Sequence, residues 1–252
     1  MSISLYSSKQ TLQSHLTRLP CDLDTATDHY ASRFSSPVGR YLLEVQRSAT
    51  LKMLAKFSEA SVLDVGGGHG QNAGLLAEAG YRVMVYGSDA SCLGRIRDLV
   101  SRGEVEFNVG ELHRLPYESK AFEVAISYRV AAHIEEIEGY IREMCRVAER
   151  AVVMDFASSR SVNVLAPMLF KQKLQVEKNT RPFNCFSPSY IDRQFAQHGF
   201  RRTGRIGQFV WPMAAHRLLN QPWFSRLAEA VPRCLGVHAW LGSPPIVRYE
   251  PV

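Results

Sequence analysis

The sequence predicts an α/β protein whose core is a doubly wound, largely parallel sheet. Short apolar runs recur from residue 61 onward, and helical patterns separate them, which is typical of parallel strands joined by crossover helices. Between the fourth and fifth runs, apolar residues recur at spacings of three and four, as expected for such a helix. The predicted strands are 61–65, 82–86, 105–109, 122–127 and 151–156.

Further elements flank these five strands. Serine-proline pairs open two predicted helices, because serine caps a helix and proline is tolerated at its first position. Gly199 ends the second of these, since glycine readily takes the left-handed conformation found after helices. Two late strands would complete a sheet of seven. These elements are helices at 37–53, 161–178 and 188–197, and strands at 205–211 and 245–249.

The length of 252 residues suits one α/β domain with additional cover elements. We expect residues 1–35 to form an N-terminal segment and residues 36–252 to form the domain. Within the domain, residues 36–157 would hold the cofactor. Residues 158–186 and 212–242 would cover the substrate.

The composition is that of an ordinary globular protein, with 46% apolar and 21% charged residues. No apolar run is long enough to span a bilayer, and the first twenty residues lack the apolar core of a secretory signal. We therefore expect a cytoplasmic protein. Its five scattered cysteines indicate reduced thiols and no metal site. The net charge of +6 favours anionic partners only weakly.

A glycine-rich turn follows the first predicted strand. Asp64 lies near the end of that strand, and Gly66, Gly68 and Gly70 alternate after it. Glycine lets the backbone bend sharply and approach a ligand where a Cβ atom would collide. A helix starting near Gln71 would point its amide groups at that ligand. The turn therefore predicts a cofactor site at the carboxyl edge of the sheet.

Two cofactors fit this turn by spacing alone. Gly68, Gly70 and Ala73 match the dinucleotide fingerprint G-x-G-x-x-G/A, with Asp89 about twenty residues on. Asp64 favours S-adenosylmethionine instead, because its carboxylate can lie near the cationic amino-acid end of that cofactor and would repel a pyrophosphate.

With the motifs that follow it, the turn resembles the class I S-adenosylmethionine-dependent methyltransferases, in the small-molecule branch that includes the ubiquinone and menaquinone biosynthesis methyltransferases. The resemblance covers about residues 30–200. It implies a Rossmann-like seven-stranded sheet with helices on both faces, S-adenosylmethionine as cofactor and S-adenosylhomocysteine as product. The later motifs that carry it are Gly110-Glu111, Leu115-Pro116-Tyr117 and Phe122-Glu123.

The resemblance also implies positions for the adenosine part of the cofactor. Glu111 would lie near the adenine amino group, and Leu112 would pack on the ring. In this family an acid at the end of the second strand accepts hydrogen bonds from the ribose, but the corresponding residue is Gly87. Asp89 would replace it, or else Ser88 with a backbone group; an ionised acceptor favours Asp89.

The segment after the fourth strand resembles the part of the family that lies over the methyl donor. It supplies the catalytic candidates Tyr128 and His133 as bases, and Arg129 as a group that binds or polarises an anionic acceptor. His133 is the first choice because an imidazole titrates near neutrality. Tyr128 is also expected to contact the cofactor, whereas Asp155 is expected to be structural or to lie beside the cofactor rather than to act as a base.

Three functions are compatible with these observations. The first is methyl transfer by in-line displacement to a small molecule, which could be lipophilic or glycosylated. The second is methylation of RNA, which the positive charge favours. The third is a regulator that binds the cofactor without turnover, and the glycine at position 87 motivates it.

The predicted cover elements differ in composition. The residues from Trp211 to Val231 are rich in apolar and aromatic side chains, which could cap the core, form a pocket for a lipophilic acceptor or contact a membrane surface. The other cover element carries a basic stretch, which most often is a solvated helix face. Its cations are Lys171, Lys173, Lys178 and Arg181.

Overall fold

A seven-stranded sheet runs through the described part of the chain, which comprises residues 22–23, 25–161 and 184–252 of a computed structural model. The strands are β1 (Ser61–Val65), β2 (Arg82–Gly87), β3 (Val105–Val109), β4 (Phe122–Ser127), β5 (Ala148–Asp155), β6 (Phe200–Phe209) and β7 (Ser243–Pro251). Their order is β3-β2-β1-β4-β5-β7-β6. The first five are parallel, and β7 is antiparallel to both β5 and β6.

The predicted fold class is confirmed, and the strand positions agree closely. β5 begins at Ala148 rather than at residue 151, because Ala148 pairs with Phe122 ahead of an irregularity in the ladder. β6 begins at Phe200 rather than at residue 205, since it pairs with β7 along its whole length. β7 likewise extends over Ser243–Pro251 rather than 245–249, so strand pairing extends three elements whose apolar pattern alone was too short.

Helices cover both faces of the sheet. Those in the described residues are α1 (Asp28–Ser32), α2 (Pro37–Leu54), α3 (Ala73–Glu78), α4 (Arg97–Ser101), α5 (Ile137–Val147), α6 (Pro188–Gln197), α7 (Met213–Leu219), α8 (Pro222–Cys234) and α9 (His238–Leu241). Apolar residues of α2 and α3 pack on one face, and those of α5 and α6 pack on the other. The sheet is consequently buried on both sides, as a doubly wound arrangement requires.

The predicted helix starts are confirmed by their caps. The Ser36 side chain accepts a hydrogen bond from the Gly39 amide at the start of α2, and Ser187 accepts one from Tyr190 at the start of α6. Gly199 has a φ of +73°, which permits the chain to leave α6 and enter β6. Capping and backbone conformation thus fix both boundaries locally.

The predicted cover at 212–242 consists of α7, α8 and α9. It leaves the sheet at the end of β6 and returns at the start of β7. Because β7 is antiparallel to β5, with Asp155 opposite Ile246, this cover starts at the carboxyl edge of the parallel strands. None of the helices in the described ranges is long and apolar enough to cross a membrane.

Two predictions fall on residues that the structure does not describe. The helix expected at 161–178, with the basic stretch from Lys171 to Arg181, lies outside the described residues except for Ser161. Most of the N-terminal segment, residues 1–21 and 24, also lies outside them.

Candidate functional site

The glycine turn lies at the carboxyl edge of β1, between β2 and β4. The amide of Gly66 donates a 2.7 Å hydrogen bond to the carbonyl of Tyr86 at the end of β2. Gly66 and Gly70 have φ values of +76° and +70°, and a single 3-10 turn, Gly67–His69, lies between them. These conformations favour glycine. The structure therefore places the predicted turn where open α/β sheets bind their ligands.

Asp64 lies directly beneath this turn. Its carboxylate is completely buried, and neither oxygen has a hydrogen-bond partner among the described residues. Burial without a partner raises the pKa of Asp64 to about 7. A buried, unpaired carboxylate is costly unless a cation or donor reaches it, so this side chain is suited to receive a positively charged group.

The end of β2 explains why position 87 is glycine. A Cβ atom on Gly87 would lie 2.8 Å from the Cβ atom of Cys92, which fills the space beside the strand. Packing therefore leaves no room for an acid there. Asp89 caps the following 3-10 turn, where its carboxylate accepts a 2.8 Å hydrogen bond from the Ser91 amide and is otherwise exposed.

A carboxylate from the N-terminal segment also reaches this strand end. Asp22 is fully buried, and it accepts a 2.8 Å hydrogen bond from the Ser88 amide and a short one from the Ser88 hydroxyl. The Cys92 thiol is 3.7 Å from the same carboxylate. Burial, with Asp22 beside it, raises the pKa of Cys92 to about 12, so the thiol stays protonated. Both donors of Ser88 are therefore used by Asp22.

Asp22 was missed by the sequence analysis. It lies 66 residues from Ser88 in a weakly patterned segment, and no motif marks it. Its position fastens the N-terminal segment to the edge of the sheet that carries the predicted ribose-binding residues.

Replacing Asp22 with asparagine is expected to loosen this fastening. The asparagine side chain has the same size but lacks the negative charge of the carboxylate. Its hydrogen bonds with Ser88 are therefore weaker, which we expect to destabilise this contact by about 1–3 kcal/mol. We expect faster limited proteolysis before residue 28 and weaker binding of S-adenosylmethionine in calorimetry. Asp28→Asn is the matched control, because Asp28 pairs with Arg95 on the surface, where ion pairs contribute little. Equal behaviour of the two variants would contradict the role of Asp22.

The end of β3 lies beside that of β2. The Gly110 amide donates a 3.0 Å hydrogen bond to the carbonyl of Gly87, so the two strand ends are joined. Glu111 is exposed at this edge, whereas Leu112 is buried in the core beside Tyr86. Glu111 and Leu112 thus lie next to the turn that contains Asp89, and the three stay predicted as the adenosine subsite.

The loop after β4 is held by two charged residues. Arg129 has a φ of +64°, and its amide donates a 2.6 Å hydrogen bond to the carboxylate of buried Asp155. Burial raises the pKa of Asp155 to about 6, although the hydrogen bond and the charge of Arg129 act in the opposite direction. This geometry agrees with the expected structural role of Asp155.

The guanidinium group of Arg129 contacts α2 and the described residues between 22 and 35, which we call the N-terminal cover. It donates to the Tyr30 hydroxyl at 3.0 Å and to the Gln46 side chain at 2.6 Å, and it lies 4.4 Å from the centre of the Phe34 ring. Burial and the charge of Arg129 lower the pKa of His69 to about 3, so this imidazole on the glycine turn is neutral. Arg129 is therefore close to the turn and is fixed by partners from α1 and α2.

The other two catalytic candidates differ in accessibility. Tyr128 is fully buried, and its hydroxyl lies 2.9 Å from that of Thr50 on α2. Burial raises the pKa of Tyr128 above its usual value, so it is poorly placed to act as a base. His133 lies on the 3-10 turn Ala131–His133 and is half-buried. His133 thus remains the stronger candidate of the two.

Residues 63–153 match a family model described as a methyltransferase domain. The match includes the glycine turn and the loop after β4. Residues 63–153 therefore form a methyltransferase domain, and the sheet around them has the class I methyltransferase fold. The cofactor of this methyltransferase is S-adenosylmethionine, which decides between the two interpretations of the turn. The quinone-biosynthesis branch stays a prediction, because the match is to the domain as a whole.

Solved structures of similar fold cover most of the methyltransferase. The PH0226 protein of Pyrococcus horikoshii OT3 is 19% identical, with 95% of this chain and 99% of that chain covered and a TM-score of 0.60. Magnesium protoporphyrin IX methyltransferase of Synechocystis PCC 6803, solved with bound S-adenosylhomocysteine, is 14% identical over 84% and 83%, with a TM-score of 0.58. At these identities the likeness establishes the fold. No curated protein sequence matches this chain.

The residues of the methyltransferase fit its cofactor. The unpaired carboxylate of Asp64 suits the ammonium group of the methionine part, and the absence of a Cβ atom on Gly68 lets the turn pack closely on Cys92 in the 3-10 turn after β2. When bound, S-adenosylmethionine supplies a methyl group on a positively charged sulfur. The chain itself would supply the glycine turn at Gly66–Gly70 and the buried acid Asp64 to hold the cofactor.

Proposed function

We propose that this methyltransferase acts on a small, lipophilic acceptor. The observation that carries the proposal is the fastened N-terminal cover. Asp22 ties one end of it to Ser88 at β2, and Arg129 ties Tyr30 to the loop after β4. A cover held at two strand ends restricts the cofactor edge to small acceptors, whereas an RNA needs an open surface.

Two of the side chains that hold Arg129 near the glycine turn are aromatic. Phe34 is 4% exposed, packs against Tyr30 and lies under the guanidinium group of Arg129. Apolar and aromatic side chains line most small-molecule pockets, with a few polar groups that set orientation. The cover at 212–242 starts at the same edge and carries exposed apolar side chains, a composition that also favours a lipophilic acceptor over a highly polar one.

An in-line methyl transfer depends mostly on holding the acceptor and the methyl donor close together and aligned. Asp155 holds the backbone of Arg129, and Arg129 holds the cover, so we assign both as positioning residues. We propose His133 as the group that removes a proton from the acceptor where one must be lost. Its half-buried position on the loop after β4 supports this assignment.

The test combines binding with transfer of a labelled methyl group. Calorimetry should show binding of S-adenosylmethionine and S-adenosylhomocysteine. With a labelled methyl donor and a cell extract, label should then enter the organic-soluble small-molecule fraction. His133→Gln should reduce the transfer rate while leaving cofactor affinity unchanged. Label confined to RNA would support the RNA hypothesis, and cofactor binding without any transfer would support a regulator.

A further inference from the structure

The helix α8 is anchored to the protein by its polar side. Its fully buried residues are Ser225 and Glu229, which are one turn apart on the same face. The Glu229 carboxylate accepts hydrogen bonds of 3.0 Å from the amides of Val210 and Trp211, and two histidines contact it from the neighbouring helices. They are His216, at 3.0 Å, and His238, at 2.8 Å.

These contacts determine which side of α8 faces outward. Burial would raise the pKa of Glu229, but the hydrogen bonds from His216 and the two amides hold it below its usual value. The carboxylate is therefore ionised and fixed in place between α7 and α9. Rotation of α8 to bury its apolar side would leave this charge without partners, at a high energetic cost.

The apolar side of α8 is consequently exposed. Trp223, Leu227 and Val231 follow one another at spacings of four and are 64%, 60% and 61% exposed. Ten of the twelve large apolar residues exposed in the described part of the chain lie between Trp211 and Leu241. All three tryptophans of the protein are among them. Such a concentration of exposed apolar residues in one segment of three helices is typical of an interaction site.

Charge indicates which partner this surface fits. Between residues 210 and 242 the sole acid is Glu229, which is buried, whereas Arg226 and Arg233 are exposed on α8. These arginines are seven residues apart and lie along one side of the apolar stripe, facing the cleft towards α2, where Arg226 also lies 3.7 Å from the exposed carboxylate of Glu44. The surface of α7–α9 therefore combines exposed tryptophans and leucines with a border of positive charge.

A cleft beside the surface of α7–α9 is also positively charged. It has a volume of about 740 Å³ and is lined by residues of α2, β6, α8 and α9. Its charged lining residues are four cations and one acid: Lys52, Arg205, Arg226, Arg233 and Glu44. An anionic headgroup at the edge of the apolar surface would be attracted to this cleft.

We propose that the surface formed by α7, α8 and α9 docks on anionic phospholipid bilayers. The tryptophans and leucines would enter the interface between headgroups and acyl chains, while Arg226 and Arg233 remain at the level of the headgroups. The cover starts at the carboxyl edge of the sheet, so docking would bring the cofactor edge near the bilayer. The proposal does not depend on which acceptor is methylated.

Vesicle binding by the full chain tests this proposal. Phosphatidylcholine vesicles with phosphatidylglycerol should bind the protein in flotation, and vesicles of phosphatidylcholine alone should bind it at least about tenfold more weakly. Tryptophan fluorescence should shift to the blue and be quenched by brominated acyl chains. Absence of binding to anionic vesicles at millimolar lipid would overturn the proposal.

Matched variants separate the apolar from the ionic contribution to vesicle binding. Trp223→Ser/Leu227→Ser/Val231→Ser should lower partitioning by more than about tenfold, whereas Val252→Ser, at an exposed position outside the surface, should not. Arg226→Gln/Arg233→Gln should reduce binding to anionic vesicles only. Its control is Arg97→Gln/Arg201→Gln, which removes two exposed cations elsewhere.

A second copy of the chain is the competing occupant of this surface. Light scattering would then show a dimer that the triple serine variant dissociates, with no vesicle binding by the wild type, and this result would overturn the proposal. Calorimetry with S-adenosylmethionine should give the same affinity for every variant, which shows that each one is folded. Loss of vesicle binding with cofactor affinity intact would therefore leave the proposed methyltransferase function untouched.

Discussion

Replacing Gly68 with alanine is expected to weaken binding of S-adenosylmethionine by at least about tenfold, or ~1.4 kcal/mol. The added Cβ atom would lie 2.5 Å from the Cβ atom of Cys92 and 3.2 Å from its Cα atom. Neither atom belongs to the end of a flexible side chain. The glycine turn or the 3-10 turn after β2 must therefore move, and both border the cofactor edge.

Gly94→Ala is the control for this substitution. Gly94 is on the same 3-10 turn as Cys92, and a Cβ atom there would meet nothing within 4 Å. Calorimetry should show nearly unchanged affinity for Gly94→Ala, and thermal melting should confirm that both variants are folded. Full cofactor affinity in a folded Gly68→Ala protein would show that the turn does not hold the cofactor.

The affinity for S-adenosylmethionine is expected to rise with pH between about 5 and 7. In the free protein, burial raises the pKa of Asp64 to about 7, so its carboxyl group is protonated at the lower end of this range. Pairing with the ammonium group of the cofactor requires the ionised form and lowers this pKa. The affinity should therefore rise by up to about tenfold per pH unit and level off above the pKa of the free protein.

Calorimetry in buffers of different ionisation enthalpy measures this coupling as a proton released on binding at pH 6. Asp64→Asn should weaken binding and abolish the pH dependence. Methylthioadenosine lacks the amino-acid end, so its affinity for the wild type should vary little over the same range. A pH profile that is unchanged in Asp64→Asn would contradict the proposed pairing.

The same pKa shift affects the free energy of unfolding of the cofactor-free protein. Because the folded-state pKa of Asp64 is raised above its usual value of 3.8, the folded chain binds more protons than the unfolded chain between about pH 4 and 7. This contribution to stability is full at low pH and is lost as the pH rises through about 7. Burial of Asp64 thus favours binding of the cofactor at the expense of the stability of the cofactor-free protein at neutral pH.

Much of the fold could be predicted from local patterns. The short apolar runs and the capping residues Ser36 and Ser187 depend on neighbours in sequence, and they gave the positions of β1 to β4, α2 and α6 to within about one residue. Strand ends were less accurate at β5 and β6, since pairing with a distant strand determines where these elements begin.

The candidate site was predictable where the backbone itself carries the information. Gly66 and Gly70 have positive φ, and Gly68 has no space for a side chain. The spacing of these glycines in the sequence therefore indicates the turn directly. The direction of the Tyr128 side chain was not predictable. Its hydroxyl points to Thr50, a contact that sequence spacing does not indicate.

The sequence by itself determined the doubly wound sheet, the glycine turn and the acid beneath it, because periodicity and glycine conformations are properties of short segments. The tertiary structure alone decided that Asp22 fastens the N-terminal segment at Ser88, across 66 residues of chain. It also decided that α8 turns its polar face inward, because Glu229 meets two histidines from other helices there. An amphipathic pattern defines two faces of a helix, and only the surroundings determine which one is buried.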